Sequence, residues 1–422
     1  MKTLILTLTL TLLCATQTFA NDFYNKHFTA ERLRIDYYMH AQKDTIEVEI
    51  KNSLREPRWA GVKNENLRKA FGGNFKYRLV EVDSGELIYE SGFNSMVEEW
   101  QSSDLDEKKR RFEMVAILPC PKQDVNFEIW QWDMNKGSYV FVYSQHIEID
   151  RVKTTNLKSD LRIKHINFKE DTDSSVEFVI LSEGYTEKEE KEFFKHCEYF
   201  KEYLFETSPF DTLRHKFRIK TIFVPSEESG TSMLDGRTKR KTNFGSSFYT
   251  FGEARYLTTS SMFDLHNAIA NVDYDYIIVF VNTERYGGAG FYNTYAITST
   301  RNANSKEVFV HEFGHSFAGL ADEYFYEHDD VLDAMYDKTV EPWEANITSL
   351  VNFSSKWEDM ANNPKTDSSK FGLFEGAGYL TKGMYRAEDN CKMRELGHPF
   401  CAVCRRHILD VINYNIGKKC TR

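Results

Sequence analysis

The chain has 422 residues, 54 basic and 64 acidic side chains and a formal net charge of −10. That length exceeds what one ordinary hydrophobic core holds, so two domains are predicted. An acidic balance without any basic block argues against nucleic acid and anionic membrane surfaces as partners.

Residues 1–20 read as a secretory signal peptide: Lys2, an apolar stretch from Leu4 to Ala15, then Thr18-Phe19-Ala20 as a small-residue cleavage site. A lipoprotein reading through Cys14 is the weaker alternative, because Leu13 is bulky where a small residue is needed. The apolar core is too short for a stable anchor, and no later segment reaches spanning length. The expected localisation is therefore export, to the periplasm, cell surface or medium, with no membrane span. From 21 to about 150 the pattern is all-β. Leu33, Ile35, Tyr37 and Met39 alternate, as do Ile46, Val48 and Ile50, then Phe112, Met114, Ala116 and Leu118, and Val125, Phe127 and Ile129. Asp83-Ser84-Gly85 reads as a hairpin turn. About seven short strands predict a β-sandwich, and the charged stretch from Arg151 to Lys169 is the expected junction.

Beyond it the pattern turns mixed α/β. Val176 to Leu181 reads as a buried strand leading into a helix capped by Thr186 with Glu189. Phe217 to Val224 is another strand, a helix is expected near Ser261–Ala270, and the apolar run Tyr276 to Val281 suits a central strand buried on both faces. Tyr286-Gly287-Gly288-Ala289-Gly290-Phe291 is a glycine-rich loop entering an extended strand. It reads equally as a surface hairpin or as an edge that pairs with a substrate backbone. The expected domains are 21–155, a β-sandwich, and 156–422, a catalytic α/β domain. The fold class is thus α+β.

His311-Glu312-Phe313-Gly314-His315 carries the chemistry. Helix positions i and i+4 share a face, so His311 and His315 can offer two imidazoles to one ion. Two neutral nitrogens suit Zn²⁺, and Glu312 is placed to take a proton from an activated water instead of binding the metal. The helix should begin near Ser305, with Asn304 as N-cap and Glu307 as its reciprocal acid, and stop at Gly319. The chain then turns back and offers a third ligand, Asp322, with Glu323 the alternative. A histidine helix, a glycine stop and a ligand just beyond is the metzincin layout, although glycine and acid each fall one residue late here. A thermolysin-like site would draw instead on Glu341 or Glu344, around which no matching string occurs. Met393, in a Cys-Lys-Met turn, suits the methionine turn of metzincins as well as it suits core filler.

The seven cysteines include Cys14 in the leader and the solitary Cys120 and Cys197. Cys391, Cys401, Cys404 and Cys420 cluster near the end. Disulfides are the default for such a cluster in an exported protein; a second zinc site with His398 or His407 is the sharper alternative.

Taken together, ILSEGYT at 180–186, YGGAGFYNTYAITS at 286–299, HEFGHSFAGLADEY at 311–324, GLFEGAGYLTKGMYR at 372–386 and the CKM turn at 391–393 resemble the IgA-type metalloendopeptidases of bacteria, metallopeptidase family 64. The preceding β region resembles the amino-terminal domain that often accompanies them. The resemblance implies a zincin-like, metzincin-related catalytic domain with one catalytic Zn²⁺ on His311, His315 and Asp322, and Glu312 as general base. The substrate would be a protein or peptide, a host glycoprotein among the candidates, but IgA itself is not implied by any pocket string. Tyr385 or Tyr379 is a candidate donor to the developing oxyanion, and Tyr385 is carried as the catalytic choice. Two other classes share these features: a catalytically silent surface binding protein with structural zinc, and a zinc amidase or deacetylase acting on cell wall or glycan.

Overall fold

The computed structural model describes residues 23–417 apart from 104–107, 156, 158–160, 168–174, 327–335, 366 and 368. The leader with Cys14, part of the expected junction and Cys420 lie outside the described residues.

Two four-stranded sheets make the first half. One runs in the order Arg110–Pro121, Phe28–Gln42, Thr45–Glu56, Lys153–Thr154; the other Leu87–Phe93, Phe75–Glu81, Val125–Asp133, Ser138–Ile147. Pairing is antiparallel except at the short Lys153–Thr154 strand. Leu33, Ile35, Tyr37 and Met39 enter one core with Phe75, Tyr77, Leu79, Phe127 and Ile129, so the inward alternation of both sheets meets in the middle. The Asp83-Ser84-Gly85 turn joins two antiparallel strands, with Gly85 at φ +67°.

The opposite face of Phe28–Gln42 carries Arg32, Arg34 and Asp36, and all three are buried. They are buried because this face docks onto the second half of the molecule. Arg32 donates to the carbonyls of Ile269, Ala270 and Val272 at 3.2, 3.0 and 2.8 Å, and its Nε donates to Glu56. Ile269 and Ala270 directly follow the helix Met262–Ala268, so the guanidinium ties the segment leaving that helix to the strand.

The second half is built on a six-stranded sheet in the order Gly288–Phe291, Tyr295–Ser299, Tyr276–Val281, Val176–Glu183, Phe217–Phe223, Arg162–Asn167. The four inner strands are parallel and both edge strands antiparallel. Alternation along Val176–Glu183 splits the side chains between two cores. Phe178 and Ile180 pack with Phe193, Phe200 and Leu204 of the helix Glu190–Glu206, and with Phe309, Phe313 and Phe317 of the helix Ser305–Ala318. Val179 and Leu181 pack on the other side with Leu265 and Ile269. All six residues of Tyr276–Val281 are buried, as a strand covered on both faces requires. A small sheet, Ile347–Thr348, Leu380–Arg386, Phe374–Ala377, and the helix Ala402–Asn415 complete the fold. The whole is a mixed α/β architecture with an all-β first half. No helix among the described residues is long and apolar enough to cross a membrane.

Candidate metal centre

Ser305–Ala318 presents its aromatic residues to the core and His311, Glu312 and His315 to the opposite side. It stops at Gly319, whose φ of +60° turns the chain so that the Leu320 amide reaches back to the Gly314 carbonyl at 3.3 Å. The start differs from expectation. Asn304 makes no side-chain cap, and Glu307 does not reach back to it. Glu307 instead accepts from Lys392 Nζ at 2.6 Å, from the Gly397 amide at 3.2 Å and from the Tyr203 hydroxyl. A buried ammonium is the stronger partner, and it draws the carboxylate away from the helix end.

After Gly319 the chain reverses. Asn346 clamps it, donating to the Ala321 carbonyl at 2.9 Å and accepting from the Ala321 amide at 2.8 Å, while the Glu323 amide donates to Met393 O at 2.8 Å. Between these anchors Asp322 turns toward the helix. Its Oδ1 lies 3.1 Å from His311 Nε2 and 3.3 Å from His315 Nε2, and the two nitrogens are 3.1 Å apart. An ion held by bonds of about 2.0–2.1 Å in tetrahedral geometry needs donors about 3.3 Å apart, so the three atoms are spaced to hold Zn²⁺. Each imidazole is also aimed. His311 Nδ1 lies 2.9 Å from Lys392 O, and His315 Nδ1 lies 2.6 Å from Leu320 O. A carbonyl only accepts, so Nδ1 carries a proton in both rings and Nε2 is the nitrogen turned toward the other donor atoms.

The field at these rings favours positive charge at Nε2, a proton or a metal ion. Burial opposes charge on His315, but the Asp322 carboxylate outweighs it and lifts the imidazole to about 9; His311 moves in the same direction for the same reason. Burial works against the Asp322 charge too, and the two imidazoles hold its carboxyl well below the usual range. Glu312 is shifted up by burial, and one of its oxygens lies with the histidine nitrogens within 4.8 Å of one another. Such a cluster attracts a divalent cation and sets a carboxylate beside it.

Of the two tyrosines considered, the fold brings only Tyr379 to these groups. Its hydroxyl donates to Asp322 Oδ2 at 2.6 Å, and its backbone sits at φ +68°. The Gly378 amide donates to Asp322 O at 3.0 Å and the Tyr379 amide to Tyr324 O at 2.9 Å, so the left-handed turn is tied to the segment that carries Asp322. A non-glycine residue in that region costs about 1–3 kcal/mol and persists only where surrounding contacts fix it. Tyr385 lies further along, in Leu380–Arg386, with its hydroxyl on Glu375, away from the histidines. Glu341 and Glu344 are engaged elsewhere, with the Asn352 amide and the Tyr336 hydroxyl respectively.

Gly288–Phe291 is the edge strand beside the helix. Added Cβ atoms would come within 2.9 Å of Glu312 Cγ at Gly288 and within 2.1 Å of Glu312 O at Gly290. These glycines therefore allow close strand–helix approach, not phosphate binding. The strand stands first in the sheet order, so its outer side has no strand partner within that sheet. From the other side, Met393 lies under the helix, its sulfur 2.8 Å from the position a Cβ would take at Gly314.

The cysteines do not follow the default expectation. Cys120, Cys197, Cys391, Cys401 and Cys404 all carry free thiols. Cys391, Cys401 and Cys404 converge, and the fourth group facing them is Glu323, not a histidine. His407 Nε2 is turned to Ala318 O at 2.9 Å, and His398 lies by Glu395. No sequence motif specifies Asn346 or the Tyr379–Asp322 bond. Tyr379 carried a signal in its flanking Gly376 and Gly378, but Asn346 lies in a stretch without any motif.

A helix-borne histidine pair, a carboxylate returned to it by a clamped turn and a second carboxylate beside it make a candidate metal centre of hydrolase type. Sequence comparison narrows the class: the profile described as IgA Peptidase M64 matches residues 166–366 and 363–412, and that of the Peptidase M64 N-terminus matches 22–141. The chain belongs to the IgA peptidase M64 family, and is accordingly a peptidase whose substrate is a protein or peptide. No curated protein matches it.

Proposed function

We propose that the chain is an exported zinc-dependent metalloendopeptidase with a zincin-like catalytic domain over 156–422, a β-sandwich domain over 21–155 and a cleaved leader over 1–20. His311, His315 and Asp322 hold the ion and Glu312 is the general base. The observation that carries this reading is the 3.1–3.3 Å spacing of three donor atoms, beside a carboxylate that is not one of them. When bound, zinc supplies Lewis-acid polarisation of the scissile carbonyl and lowers the pKa of water to about 7. Glu312 takes the proton of the attacking water and returns it to the leaving amine. Asp322 contributes a charge that offsets that of the ion, and Tyr379 fixes the rotamer of that carboxylate. Beyond the Tyr256–Gly288 bridge, the outer side of Gly288–Phe291 offers main-chain groups to an extended substrate, running alongside Glu312.

Replacing Glu312 by Ala tests this. The variant should retain zinc by metal analysis and lose about 10²–10⁴-fold in cleavage of a denatured protein, the usual contribution of a positioned base. Undiminished cleavage would remove Glu312 from the reaction.

A further inference from the structure

We propose that Cys391, Cys401, Cys404 and Glu323 form a second metal site, closed and structural, that takes zinc or another thiophilic divalent cation. The four donors are fully buried and each offers an atom within 4.8 Å of the others. Cys391 Sγ and Cys404 Sγ are 3.7 Å apart, and Glu323 Oε1 lies 3.2 Å from Cys404 Sγ and 3.9 Å from Cys401 Sγ. With Zn–S bonds of about 2.3 Å and a Zn–O bond of about 2.0 Å, a tetrahedron has edges of about 3.8 Å between sulfurs and about 3.5 Å from sulfur to oxygen. The observed separations straddle those values.

The surroundings suit anionic donors. Cys401 is the N-cap of the helix Ala402–Asn415, and its sulfur accepts from the Cys404 amide at 3.4 Å. Cys391 Sγ accepts from the Met393 amide at 3.5 Å and from the Cys401 amide at 3.2 Å. Backbone N–H groups and a helix N-terminus both stabilise thiolates. Glu323 supplies an independent observation. It is 0% exposed, its Oε1 accepts from Asn346 at 2.9 Å, and its Oε2 has no hydrogen-bond partner. A buried carboxylate facing three sulfurs is expensive without a cation. A disulfide explains less. Cys391 and Cys404 would have to close from 3.7 Å to about 2.05 Å, leaving the third thiol and the carboxylate without a role.

Such an ion would join three segments: the chain after the helix Ser305–Ala318, the turn at Cys391, and the helix Ala402–Asn415. The turn carries Lys392 O, which holds His311, and Met393 O, which holds the Glu323 amide next to Asp322. The second site thus braces the histidine–carboxylate cluster from behind. On loading, the thiols release their protons to solvent as the metal–sulfur bonds form.

The test is cobalt substitution of the full chain, read by absorption. His311, His315 and Asp322 offer no sulfur, so a near-ultraviolet thiolate-to-cobalt band reports the second site alone. We expect the band in the wild-type chain, its survival in the double variant His311→Ala, His315→Ala, and its loss in Cys404→Ser. Metal analysis should give two equivalents for the wild type and one for the double histidine variant. The same double variant keeps this proposal separate from the catalytic one: one equivalent with the thiolate band upholds the second site whatever the peptidase assay shows. If Cys404→Ser fails to fold, the wild-type and double-variant spectra still decide. Absence of the band overturns the proposal, whether thiol titration in denaturant then finds all thiols free or two missing as a disulfide.

Discussion

Asp322 and Glu323 are adjacent, of like charge and both buried, yet they face different neighbours. Successive side chains of extended backbone point to opposite sides, so a turn that sends Asp322 toward the histidines must send Glu323 away from them, to the sulfurs. Each carboxylate has its own positioning partner: Tyr379 for Asp322 and Asn346 for Glu323. Loss of such a supporting hydrogen bond typically lowers metal affinity or activity 10–100-fold. Tyr379→Phe should therefore weaken zinc retention against a graded chelator by about 10–100-fold, while Asp322→Ala loses the ion on dialysis. Unchanged zinc affinity in Tyr379→Phe would show that the hydroxyl does not position the carboxylate. The histidine pair was legible in the sequence because its geometry is local. The choice between Asp322 and Glu323 was not, since a shift of one residue in the turn exchanges them.

At the scale of elements, the site depends on a strand lying unusually close to a helix. Gly290 has Glu312 O where a Cβ would come within 2.1 Å, and His315 Cβ within 2.8 Å. The first obstacle is backbone and cannot rotate aside. Gly290→Ala should push Gly288–Phe291 off the helix, at a cost of about 1–3 kcal/mol, the usual range for overpacking. The expected outcome is a lower unfolding midpoint together with reduced cleavage and a raised KM for extended peptides. A variant with normal stability and KM would mean that the edge does not seat substrate. The glycines were visible in the sequence, but their reason was not. Glu307 carries the same lesson, because an acid at a capping-box position is diverted by Lys392, 85 residues away.

For the whole molecule, the first half and the segment after the helix Met262–Ala268 share buried polar contacts, and one carboxyl further along that segment links stability to pH. Asp275 precedes the strand Tyr276–Val281, and its carboxylate accepts from the Glu177 amide at 2.8 Å. Burial pushes it from the ordinary 3.8 up to about 7, outweighing the help of that amide. The native state therefore keeps a proton that the unfolded chain gives up earlier. Stability falls as pH rises between about 4 and about 7, and the loss is complete above that range. In Asp275→Asn the loss should vanish, so the variant gains unfolding temperature over the parent more at about pH 8 than at about pH 5. An equal difference at both values would discount the group.

Local pattern was enough for the helix from Ser305 to its stop at Gly319, for the i, i+4 histidines, for the central strand Tyr276–Val281 and for the inward alternation of the first half. Each depends only on periodicity over a few residues and on which backbone angles glycine tolerates. Tertiary structure alone decided the rest. Tyr379 meets Asp322 across 57 residues, Lys392 O meets His311 across 81, and Cys404 meets Glu323 across 81. Arg32 and Arg34 look like the solvent face of a strand, and became buried only because the second half brought the carbonyls of Ile269, Ala270 and Val272 and the Asn267 side-chain oxygen to them. Contacts of that kind follow from the packing of whole faces, which no short window of sequence contains.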